Sequence, residues 1–164
     1  MSVVADILRT YRAPREVQAR RGSGRPREDR ALVTLMVACA LIFVAQWPRL
    51  SREAALDPSI ALDARLAGAL FAWLMIVPLV FYGLAWGLSV VLRAFGQEID
   101  GYRCRMALFW AFLASTPVWL LSGLLAGFAP GPAFGVTSAA ALALVVVFTV
   151  AGISVRTTQQ ESTP

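Results

Sequence analysis

Residues 66–92 read LAGALFAWLMIVPLVFYGLAWGLSVVL, twenty-seven consecutive positions without a charge. As a helix this run is about 40 Å long, against a hydrocarbon core of about 30 Å. It is therefore a single span that tilts or extends into the interface, and it is too short to cross twice. Three further uncharged runs share the chain: Ala31–Trp47, Met106–Ala129 and Phe134–Val155. They number seventeen, twenty-four and twenty-two residues, close to the usual range of about 17–25 for a transmembrane helix. Pro48 marks the end of the first run, which Glu28–Arg30 can lengthen into the headgroups. The sequence thus predicts an all-α integral membrane protein, a bundle of four transmembrane helices over about 31–47, 66–92, 106–129 and 134–155. A basic arm over 1–30 precedes it and a tail over 156–164 follows.

Composition agrees. Of 164 residues, 58% are apolar and only 15% charged, too few charges to solvate a globular domain of this size, which carries about 25%. All fifteen basic residues are arginine; the missing lysine fits a GC-rich genome. Eight of these arginines lie in the first thirty residues. With the N-terminus inside, twelve arginines fall in inner segments and three in outer ones, so the positive-inside rule places both termini in the cytoplasm.

The arm lacks the continuous apolar core of a signal peptide. Val3, Val4, Ile7, Leu8 and Tyr11 recur at helical spacing, with Asp6, Arg9 and Arg12 off that stripe. Pro14 limits the helix. Such a segment can lie in the interface with Arg9, Arg12, Arg15, Arg20 and Arg21 on anionic lipid headgroups; the other reading is a partly ordered cytoplasmic tail. Beside four spans, the partner of this basic arm is the lipid bilayer, not nucleic acid. Arg21–Pro26 reads as a flexible joint.

Within the spans, Gly83-x-x-x-Gly87 and Gly123-x-x-x-Gly127 are small-residue patterns that let helices approach closely. They serve packing inside the bundle or, alternatively, a face for a second copy or another membrane protein. Pro78 and Pro117 are candidate kinks, each deleting a backbone donor, and the hydroxyls of Ser115 and Thr116 can serve a carbonyl freed by Pro117. The Pro130-Gly131-Pro132 turn joins the last two spans as a hairpin.

Chemistry is mostly excluded. There is no histidine, hence no imidazole base and no histidine metal site. No Asp, Glu or Arg lies inside the four runs, which argues against ion pathways and proton relays. Neither a phosphate-binding loop ending in lysine nor a Ser–Lys pair is possible without lysine. Cys39 and Cys104 have no metal-ligand spacing. No catalytic, cofactor or metal residue is assigned, and no cofactor is expected.

One resemblance covers about residues 10–155. It rests on Pro14-Arg-Glu-Val17, Val77-Pro78-Leu79, Phe95-Gly96 with Gly101-Tyr102-Arg103, and Ala107-Leu-Phe-Trp110 leading to Ser115-Thr116-Pro117. In these the chain resembles the Yip-domain family of Ypt/Rab-interacting membrane proteins, specifically its small bacterial members. Gln46-Trp47-Pro48-Arg49-Leu50 is similar to an alphaproteobacterial branch. Eukaryotic members act in early secretory traffic, contact small GTPases and have no known enzymatic activity. They have five spans and a longer N-terminal domain, whereas this chain has four apolar runs and a short arm. The resemblance therefore implies a non-enzymatic scaffold or accessory subunit of a bacterial inner-membrane complex. A small channel or carrier for a neutral or lipidic solute is the alternative, marked by a hydrated cavity between the second and third spans near Ser115, Thr116 and Ser122.

Overall fold

The structure is a computed structural model describing residues 2–22, 27–97, 100–129 and 131–160, with side chains of the last helix described as far as Ser154. The expected joint therefore lies outside the described residues from position 23, as do Pro130 of the turn and the last four residues of the tail. All regular elements among the described residues are helical. They are α1 (Val3–Thr10), α2 (Pro14–Gly22), α3 (Glu28–Leu56), α4 (Leu62–Phe71), α5 (Val77–Ala94), α6 (Gly101–Phe128) and α7 (Pro132–Gln160). A π-helical turn over Ala72–Ile76 joins α4 to α5. Four segments are long and apolar enough to cross a membrane: Glu28–Leu56, Leu62–Ala94, Gly101–Phe128 and Pro132–Ser154.

Two prolines act differently from their simplest reading. Pro48 does not stop its helix; α3 continues through it to Leu56. A proline removes only its own N–H and crowds the carbonyl four residues earlier, which a long helix held by neighbours can absorb. Pro78 follows the π turn directly and lies in the first turn of α5. The wider turn accommodates the ring where regular α geometry would press it on the Leu74 carbonyl.

The core forms around α6. Phe109–Thr116 are buried at eight successive positions, so this stretch meets a neighbour on every side. Along α3, Ala31, Leu35, Ala38, Ile42 and Ala45 are all buried, at alternating spacings of four and three that make one seam. Small residues on that seam allow close approach. A Cβ on Gly123 would stand 1.8 Å from the Ala45 carbonyl oxygen, and one on Gly127 would stand 2.4 Å from Pro48 Cβ. From α5, Phe81 meets Phe112 at 4.2 Å between ring centroids and Tyr82 meets Phe109 at 5.0 Å. From α7, Phe148 packs on Ala111 and Ala114. Gly83 and Gly87 have nothing within 4 Å of where a Cβ would stand. The two glycine pairs thus part company, one inside the bundle and one on the open face of α5.

Candidate functional site

The fourth side of α6 is covered by the arm. Arg9 Nη2 meets Glu16 at 2.6 Å, tying α1 to α2. Together the two helices dock against the N-terminal half of α6 and the C-terminal half of α7.

The contacts are polar and specific. Trp110 Nε1 donates to Thr10 Oγ1 at 3.1 Å, and the same hydroxyl donates to the Asp6 carbonyl at 2.7 Å. Tyr11 donates its hydroxyl proton to the Ala114 carbonyl at 2.9 Å; burial raises the pKa of this phenol, so it remains a donor. Gln18 Nε2 reaches two helices at once, donating to the Ala107 carbonyl at 3.3 Å and the Phe148 carbonyl at 3.1 Å. Gly152 makes room for that amide: a Cβ there would stand 2.8 Å from Gln18 Cδ. Val17 is fully buried beside them.

Charge is organised around Asp6, whose side chain is 9% exposed. It takes Arg21 at 2.6 Å and Arg20 at 3.2 Å. The Arg21 guanidinium also lies 3.6 Å from the centroid of the Trp110 ring, a cation–π contact in a partly desolvated setting. Of the five arginines read as lipid contacts, Arg21 therefore turns inward to Asp6, while Arg20 and Arg9 pair with Asp6 and Glu16 from exposed positions. Arg12 and Arg15 are exposed.

α1 docks with its two buried side chains polar. Asp6 and Thr10 are buried, while Val3, Val4 and Leu8 are exposed, the last two at 65%. Ile7 packs against the core beside them, so the exposed face of α1 carries Val3, Val4 and Leu8 together with Arg9. Ala114, the acceptor for Tyr11, is thirteen residues past the start of α6, about 20 Å along its axis.

Elsewhere several hydroxyls of the spans are bonded within the bundle. Thr116 Oγ1 donates to the Leu113 carbonyl at 2.8 Å, the acceptor that Pro117 leaves without its N–H, and Ser115 Oγ donates to the Phe112 carbonyl at 2.8 Å. Thr34, Ser89 and Thr149 donate likewise to carbonyls in their own helices. Ser122 bonds Ser138 of α7 at 2.7 Å. Arg105 of α6 forms an ion pair with Glu28 of α3 at the end where the arm docks. Among the described residues no group of three or more Cys, Asp or Glu side chains is placed to hold a metal.

The arginine-rich surface of the arm was readable from sequence, but Gln18, Thr10 and Gly152 were not. Asp6 and Thr10 carry the one available signal: two polar residues four apart, on the face opposite an apolar stripe. No protein-family model, curated protein or solved structure matches the chain. The fold and site define a four-span, all-helical membrane protein with a docked N-terminal helical hairpin.

Proposed function

We propose that this chain is a non-catalytic scaffold, or an accessory subunit of a larger complex, in the inner membrane of a bacterium, with a role like that of the Yip-domain proteins it resembles. The observation that carries this reading is how the polar groups of the spans are used. Ser115, Thr116 and Ser122, the hydroxyls a solute path between the second and third spans would need, are engaged by helix carbonyls or by Ser138. A solute path between the second and third spans would need these hydroxyls free, and each is already bonded inside the bundle. The Trp119 N–H, unpaired among the described residues, lies instead at a cavity between α3, α6 and α7. Both termini lie in the cytoplasm, where Arg12 and Arg15 face anionic headgroups.

Two experiments test the proposal. A C-terminally tagged copy purified in gentle detergent is expected to carry a companion at fixed stoichiometry by native mass spectrometry. A protein that is monomeric and conducts a solute in liposomes overturns the scaffold reading. For topology, single cysteines replace the exposed Ser2 and Ser59. Cys39 and Cys104 are both fully buried, so the native thiols stay silent. An impermeant maleimide is expected to label position 59 in intact cells and position 2 only in opened membranes; the reverse pattern inverts the orientation.

A further inference from the structure

At the end of the bundle opposite the arm, a cavity of about 100 Å³ lies between α3, α6 and α7. Its walls include Ile42 and Phe134, and its polar lining is Gln46, Arg49, Trp119 and Ser122. The indole N–H of Trp119 is buried and has no hydrogen-bond partner among the described residues. A buried donor without an acceptor is uncommon enough to require an explanation.

The polar lining is rich in donors. Gln46 gives its oxygen to Arg49 Nη2, at 3.5 Å, which leaves its amide N–H groups to donate. Arg49 is half-exposed and its Nε contacts Glu53 at 3.4 Å. Glu53 does not line the cavity and is shared with Arg65 at 3.9 Å. An indole N–H, an amide and a guanidinium with no carboxylate among them match an oxygen-rich anion. The apolar walls match hydrocarbon below it.

We propose that this cavity binds a phosphate oxyanion, held by Arg49 and Gln46 with the Trp119 N–H as the deepest donor. Two sources share that chemistry: the headgroup of an anionic phospholipid, whose chain continues along the apolar wall, and free phosphate. Gly123 also lines the cavity, so the same glycine that lets α6 approach Ala45 keeps this wall free of a side chain.

The test uses the full chain in mild detergent, with phosphatidylglycerol or phosphatidylcholine added and retained lipid counted by native mass spectrometry. W119F keeps an aromatic side chain, smaller than indole, and deletes the donor; R49Q removes the charge from a half-exposed position on α3. R52Q, on a separate groove with Trp47 and Phe128, is the control. One phosphatidylglycerol per chain is expected, with retention falling about tenfold in W119F and in R49Q and unchanged in R52Q. If millimolar inorganic phosphate displaces that lipid, or raises the melting temperature of the wild type but not of R49Q, the oxyanion comes from solution. If it does neither, the headgroup is the source. Retention equal across wild type, W119F and R49Q, together with no effect of phosphate, overturns the proposal. Unchanged circular dichroism in both variants separates loss of the site from loss of the fold.

Discussion

Replacing Gly123 by alanine tests whether the α3–α6 contact holds the bundle together. The added Cβ would stand 1.8 Å from the Ala45 carbonyl oxygen, 2.6 Å from its carbon and 3.1 Å from its Cα. These are backbone atoms, so no side-chain rotation relieves the clash. To reach ordinary contact, α6 must withdraw by about 1.5 Å, and a gap of even 0.5–1 Å forfeits about a quarter to a half of each dispersion contact it opens. Overpacking of this kind costs about 1–3 kcal/mol, and a backbone clash belongs at the upper end. Alanine returns about 0.5–1 kcal/mol through its better helix propensity, leaving a net loss of about 2 kcal/mol. Gly83→Ala adds its Cβ where nothing lies within 4 Å and should be neutral or stabilising by up to about 1 kcal/mol. The two variants should therefore differ by about 2–3 kcal/mol, with Gly127→Ala between them, because its Cβ would meet Pro48 at 2.4 Å. Reversible unfolding in mixed micelles of rising denaturing-detergent fraction, followed by circular dichroism, measures the order. If Gly123→Ala and Gly83→Ala agree within about 0.5 kcal/mol, the scale of an ordinary surface change, α6 does not depend on this approach.

Gln18→Leu removes two hydrogen bonds, each worth about 0.5–1.5 kcal/mol. Amide-exchange protection across α1 and α2 should fall about tenfold while that of α6 holds, and unchanged protection would remove Gln18 from the docking account. Asp6→Asn leaves Arg21 without its carboxylate against Trp110. Because Arg20 is 42% exposed, the expected loss lies below the full penalty for breaking a buried pair, at about 1–2 kcal/mol, read as faster tryptic cleavage within residues 9–21. In the α3–α4 turn, hydrogen bonds from Ser59 and then Arg65 hold the Asp57 carboxyl below its ordinary value. A depressed carboxylate contributes stability above its unfolded pKa of about 3.9 and loses it as pH falls through the folded value. The melting temperature of the wild type should therefore drop more steeply below about pH 4 than that of Asp57→Asn; equal slopes would assign the acid loss elsewhere.

The four spans were legible because the bilayer imposes a length, and an uncharged run either meets it or does not. Pro48 ends the uncharged run but not the helix, because α3 absorbs it and places it against Gly127. Glycine spacing could not tell Gly123 and Gly127 from Gly83 and Gly87, since the pattern marks the capacity for close approach and not the neighbour that uses it. The arm shows the limit most clearly. Its stripe of Val3, Val4, Ile7 and Leu8 marked an amphipathic helix, but which side turns inward depends on the solvent outside, and a groove between α6 and α7 exists only after folding. Gln18 was invisible for the same reason: its two acceptors are main-chain carbonyls, which no side-chain motif encodes.

The separation in sequence of the Gln18 contacts has a consequence for how the protein is made. Gln18 bonds the carbonyl of Phe148, 130 positions later, and the space it fills depends on Gly152, later still. A ribosome releases α1 and α2 first, yet the groove that receives them is finished only when the last span is in the membrane. Throughout synthesis the Gln18 amide must be served by water or by other proteins, while Asp6 and Thr10 already have partners within the arm, so the arm completes its docking only as the closing step of assembly. Chains truncated before Phe148 should therefore keep α1 and α2 open to protease, which makes the arm a report on whether α7 has arrived.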